Sequence, residues 1–178
     1  MKIKDESNIP EFLTMLKQLQ NTHLEIGVFE DEEGGEKHNR DKAITVLALA
    51  EIHEYGININ VTPKMRGFLH FEGLHLRKDT KRINIPERSF IRAGYDENEK
   101  KIIRETEKLL HSVIMLELPV EVFFNTLGEL LSGFIQEYLT DLREPPNHPY
   151  TVAQKGSSNP LIDTGRLRQA ITYRVVRK

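Results

Sequence analysis

Apolar side chains recur at helical spacing near the start of the chain. Ile9, Phe12, Leu13, Leu16 and Leu19 predict an amphipathic helix over residues 9–20, with Asn8 and Pro10 marking its start. The period then changes. In residues 23–29, Leu24, Ile26 and Val28 alternate with other positions, which predicts a strand. Residues 30–41 are polar and hold a Gly-Gly pair, so they read as a loop. A second helix is predicted over 42–55. Asp41 is its expected cap, Ile44, Leu47, Ala48 and Ile52 its apolar face, and Gly56 its stop.

Residues 57–85 lose the simple pattern. Ile57, Ile59 and Val61 alternate until Pro63 interrupts, and residues 81–85 alternate until Pro86. Between them Phe68, Phe71, Leu74 and Leu76 stand among glycines and basic residues. The reading is short strands or an extended arm.

Helical periodicity returns with Ile102, Ile103, Leu109, Val113 and Leu116, and Asp96 with Glu99 is expected to cap that helix. Pro119 opens another, with Phe123, Leu127, Leu130, Leu131, Phe134, Tyr138 and Leu142 along one stripe. A short joint predicts that the two helices pack together. Gly128 and Gly133 weaken the second helix by about 1 kcal/mol each relative to alanine, which suits close backbone approach. Residues 143–159 carry three prolines and no period, so they read as a long loop. A short helix capped by Asp163, with Ile162 and Leu167 as its staple, and a strand through Ile171, Tyr173 and Val175 close the chain. The fold class is therefore α+β. One domain over 1–178 has a small, mostly antiparallel sheet packed by helices, two long consecutive helices, an arm at about 57–85 and a loop at about 143–160.

Composition narrows the functional classes. The 178 residues are 38% hydrophobic and 29% charged, an ordinary folding composition. Without cysteine, disulfides and thiolate metal sites are excluded. The net charge of −2 hides an asymmetry. Residues 61–95 hold eight Lys or Arg against three Asp or Glu, while 96–144 hold five against eleven. The last fifteen residues hold five basic groups and no acid. Opposite surfaces on one chain can pair between copies, which suits head-to-tail rings, although a merely solvated surface has the same composition.

Candidate chemistry is sparse. His53 and Glu54 with Glu51 suggest metal, but the zincin spacing needs a second histidine where Ile57 stands, and a helix end accounts for them. His70, Glu72 and His75 have no further ligand marked by spacing. Arg88 and Arg92 share a face if residues 86–95 are helical, facing a neighbouring subunit, DNA phosphate or solvent. Ser157 and the Asp163-Thr164-Gly165 run fit neither a nucleophile elbow nor a phosphate loop and read as turn and cap residues.

Three segments together resemble a known family. They are Ala48-x-x-x-x-His53-Glu54-Tyr55-Gly56, then Ile85-Pro86-Glu87-Arg88-Ser89-Phe90-Ile91-Arg92, then a longer third run. The third begins at Pro145, passes Pro149-Tyr150-Thr151 and Lys155-Gly156, and ends with Pro160-Leu161-Ile162-Asp163-Thr164-Gly165-x-Leu167-Arg168 and Ile171-x-Tyr173. Their order and separation, over roughly residues 43–175, are similar to the tail-completion and neck proteins of tailed bacteriophages. That family includes relatives of the lambda-type minor tail protein Z and the Mu-type virion morphogenesis proteins. The resemblance implies a structural virion protein and not an enzyme. It implies no cofactor and assembly in a bacterial cytoplasm. It also implies a ring of six or twelve copies at the head–tail junction, beside other neck, connector and tail-terminator proteins, with transient contact to passing DNA and none to a membrane.

Expected contacts to partners or sister subunits fall on Phe68, Phe71, Arg88, Arg92, Tyr150 and Lys155. Removing residues 146–158 is expected to leave the monomer folded and to block assembly. The alternative from another class is a nucleic-acid-binding module using the basic 61–92 stretch. A metal-dependent hydrolase at the histidines is a distant third.

Overall fold

The computed structural model describes residues 7–30 and 44–178. In chain order the elements are α1 (Ile9–Gln20), β1 (Thr22–Gly27), α2 (Val46–Tyr55), β2 (Ile57–Asn60), α3 (Pro63–Phe71) and β3 (Arg82–Ile85). Then come α4 (Phe90–Ile114), α5 (Val120–Asp141), α6 (Pro149–Lys155), α7 (Arg166–Gln169) and β4 (Thr172–Arg177). The class is α+β, with two long consecutive helices and two small antiparallel sheets.

The helix α5 is the centre of the body. Its stripe buries Val120, Phe123, Phe124, Leu127, Leu131, Ile135 and Leu139. The short joint after α4 folds α5 back along it, so Gly94 early in α4 meets Tyr138 late in α5. Across α5 lies the sheet of β1 and β4, with Leu24 opposite Val175 and Ile26 opposite Tyr173. Strand alternation sends Leu24, Ile26 and Val175 toward the core. Gly128 permits that contact, because a Cβ there would overlap the Tyr173 ring. Gly133 is different: a Cβ there would meet open space. Two apolar clusters result. One joins Met15 of α1 to the α4–α5 pair, and the other joins Val46, Ala50, Phe90, Leu139, Leu161 and Ile171.

Several local expectations need correction. The helix α2 starts at Val46, where the Thr45 hydroxyl accepts the Ala48 N–H at 3.1 Å. Asp41 lies outside the described residues. The helix α4 begins at Phe90, not at Asp96, so Asp96 and Glu99 sit within it and form no capping box. Asp163 is not the N-cap residue of α7; Gly165, at φ +83°, holds that position. A left-handed φ favours glycine there, and the local pattern alone does not reveal which residue adopts it. The stretch predicted as a loop contains α6, with the His148 ring accepting the Tyr150 N–H at 3.2 Å and left-handed Gly156 as its C-cap.

The arm is also more ordered than an extended chain. Its strands β2 and β3 pair antiparallel, Ile57 opposite Ile85 and Asn60 opposite Arg82. The helix α3 stands at the far end of this hairpin, capped by the Thr62 hydroxyl on the Met65 N–H at 3.1 Å. Proline in its first turn and a threonine cap specify that helix despite Gly67.

Candidate functional site

The stem of the arm is built into the body by buried polar groups. Glu54, at the end of α2, is 4% exposed. Its carboxylate accepts the Ser89 hydroxyl at 2.8 Å and the N–H groups of Ile91 and Arg92 at 2.9 and 3.1 Å. It therefore caps α4 from another helix, in the place that a local side chain would take. Burial alone would push the Glu54 carboxyl up. The backbone N–H bonds, the serine hydroxyl and the Arg92 guanidinium outweigh it and hold the group below its ordinary value.

Arg92 lies outside this cap. Its guanidinium bonds Glu54 at 3.0 Å and Glu87 at 2.8 Å, and sits 4.9 Å from the centre of the Tyr55 ring. Arg88 departs from the expected shared face. It precedes α4, is 4% exposed, and turns inward. Its donors reach the carbonyls of Pro145 and Pro146 at 2.7 and 3.0 Å and the Asn147 side chain at 3.1 Å. Arg88 is therefore a staple between the arm's base and the 143–160 segment, and this corrects its expected place on a subunit contact. A guanidinium with three carbonyl-type acceptors is a satisfied buried charge.

Tyr150 and Lys155 are likewise occupied within the chain. The Tyr150 hydroxyl donates to the Glu72 carbonyl at 3.2 Å, tying α6 to the arm. The Lys155 ammonium donates to the carbonyls of Asn159 and Pro160 at 3.1 and 3.2 Å. Asn159, which the sequence reading passed over, organises the segment's end. Its oxygen accepts the N–H groups of Leu161 and Ile162, both at 2.9 Å, and its amide donates to Thr140 at 2.8 Å. Between arm and body remains a cleft of about 600 Å³ whose walls include Leu74, Leu76, Ile83, Ile85, Pro146 and Tyr150.

The two phenylalanines behave differently. Phe68 is 62% exposed and Phe71 86% exposed, and α3 has no buried residue. The helix is held from its other side, where the Arg66 guanidinium donates to the carbonyls of Arg77 and Thr80 at 2.7 and 2.6 Å. The arm thus presents its aromatic groups outward on a braced support.

The histidines split into two cases. His70 and His75 meet each other, Nδ1 to Nδ1 at 2.7 Å, so one ring donates and the other accepts. His53 is enclosed, and its Nδ1 has no partner among the described residues. Burial, with the charges of Arg88 and Lys155 nearby, lowers its pKa to about 4. Among the described residues no three His, Cys, Asp or Glu side chains converge to hold a metal, and no helix is long and apolar enough to cross a membrane.

Comparison with family models, curated proteins and solved structures gives no match. Function therefore rests on the geometry and on the three motif segments.

Proposed function

We propose that the chain is a ring-forming structural subunit at the head–tail junction of a tailed bacteriophage, a neck or tail-completion protein, and not an enzyme. The observation that carries the reading is the braced arm, whose Phe68 and Phe71 face solvent far beyond what a finished surface needs. An aromatic pair held out on a hairpin needs a partner surface. A sister copy in a ring supplies one without any further gene product. The motif segments support the same reading. His53-Glu54-Tyr55-Gly56, Glu87 through Arg92 and the 145–168 run meet around one junction, formed by buried Glu54 and Arg88 and half-buried Asn159. Their job in this reading is to set the arm's angle to the body.

Copies close around the DNA channel between capsid and tail, with other neck and connector proteins above and below. A lumen that passes DNA gains nothing from holding it tightly, which suits the mild net charge of −2.

Electron micrographs of the purified chain, taken with DNA-retention and metal assays, test the reading. Rings with neither salt-dependent DNA retention nor bound metal support it. Salt-dependent retention through the basic 61–92 stretch, without rings, would replace it with the nucleic-acid-binding module.

A further inference from the structure

The turn that ends α3 brings two histidines together. The Gly73 N–H donates to the His70 carbonyl at 3.1 Å, and the Leu74 N–H to the Leu69 carbonyl at 2.7 Å. Gly73, at φ +88°, takes the left-handed position that closes this helix-ending motif. The chain doubles back and sets His75 beside the last turn of α3, with the two ring centroids 4.4 Å apart. The turn is also held from outside. The Tyr150 hydroxyl donates to the Glu72 carbonyl at 3.2 Å, and the Arg66 guanidinium to the Arg77 carbonyl at 2.7 Å. The two imidazoles are therefore placed before any ligand arrives.

Their Nδ1 atoms are 2.7 Å apart, one donating to the other. A cation in place of the shared hydrogen would meet both nitrogen lone pairs at once. With metal–nitrogen bonds of about 2.0–2.1 Å, two tetrahedral positions lie about 3.3 Å apart and two right-angled positions about 2.9 Å. The spacing in the turn is nearer the right-angled pair.

We propose that His70 and His75 form a two-histidine half-site for a divalent transition cation with right-angled nitrogen ligands, of the copper(II) or nickel(II) class. On binding, the donor ring carries its proton on Nε2 instead of Nδ1, so both rings stay neutral and no proton is released. Water fills the remaining positions, because no third His, Asp or Glu converges on the pair among the described residues. Two ligands on an arm that also carries exposed Arg77, Lys78 and Lys81 hold the metal reversibly. Chain dialysed against a chelator carries none, so the metal assay that tests the ring reading is undisturbed.

Isothermal titration calorimetry of the untagged, chelator-treated full chain with nickel(II) chloride reads the site. One cation should bind per chain. His70→Ala and His75→Ala should each weaken binding at least about tenfold, because the second nitrogen no longer acts within the same molecule. His111→Ala, on α4, should leave it unchanged. With copper(II), electron paramagnetic resonance should show two nitrogen ligands in the wild type and one in each arm variant. All three histidines are exposed, and circular dichroism melting verifies that each variant folds. Equal affinity in the wild type and either arm variant, or a single nitrogen on the wild-type copper, means an adventitious ion only and overturns the proposal. Nickel that survives the chelator is held by further ligands and overturns the half-site too.

Discussion

Glu54 offers the sharpest test of how the arm is fixed to the body. Glu54→Ala removes four hydrogen bonds at once, from the Ser89 hydroxyl, the Ile91 and Arg92 N–H groups and the Arg92 Nε. Loss of a helix cap costs about 0.5–2 kcal/mol. A donor left buried without a partner adds about 1–3 kcal/mol. The ion pair adds little, because the Arg92 side chain is 53% exposed and rehydrates. The expected total is about 1.5–5 kcal/mol. Glu54→Gln keeps one acceptor oxygen and turns an amide N–H₂ toward other donors, so it should lose less than alanine but remain clearly destabilised. Urea unfolding followed by circular dichroism reads both. With a slope of about 1–3 kcal/mol per molar urea, the alanine midpoint should move by roughly 1 M or more. The sign with pH is fixed as well. The folded carboxyl titrates below its ordinary value of 4.5, so its stabilisation is complete above that pH and is lost as pH falls through the lower folded value. The gap between wild type and Glu54→Ala should therefore close in acid. Unfolding free energies within about 0.5 kcal/mol of wild type for both variants at neutral pH would refute the cap.

Other outcomes follow from the same geometry. His53, held neutral with a folded pKa of about 4 against 6.5 unfolded, should make the fold lose up to about 3 kcal/mol as pH drops from 6.5 toward 4; urea midpoints of His53→Gln should show a flatter slope there. Gly128→Ala should cost about 1–3 kcal/mol by driving the Tyr173 ring away. Gly133→Ala, facing open space in an exposed turn of α5, should instead gain about 0.5–1 kcal/mol in urea unfolding. Phe123→Ala and Leu127→Ala should each lose about 2–5 kcal/mol, and Phe134→Ala less, since Phe134 is only half-buried. Deleting 146–158 should destabilise the monomer itself, measured by its unfolding midpoint, because Arg88 would lose acceptors on Pro146 and Asn147.

The elements written in local periodicity were legible. The stripe from Phe123 to Leu142 specifies α5, and alternation about Ile26 and Tyr173 specifies the main sheet. The arm was legible as an anomaly, through apolar residues without a period, but its helix was hidden by Gly67 and its unburied faces. What stayed hidden depends on distant partners. Asp96 and Glu99 imitate a helix start because the real cap, Glu54, comes from 37 residues before Ile91. Arg88 reads as a surface charge because its acceptors lie 57 to 59 residues away, on carbonyls that carry no side-chain signal. Asp163 has the right residue type for a cap, yet the turn at Gly165 starts the helix after it. The prolines that marked 143–160 as a loop also open α6, since Pro149 stands in its first turn. Phe68 and Phe71 were found from sequence, while Ile103, read with the apolar face of its helix, is 48% exposed.

The central claim is that this chain forms a ring between head and tail, and labelling of assembled particles tests it most directly. An antibody or gold tag on the chain should mark the head–tail junction, and averaged images should show a ring there. Particles lacking the chain should separate into filled heads and free tails. Label found elsewhere on the particle, or particles that join normally without the chain, would contradict the account.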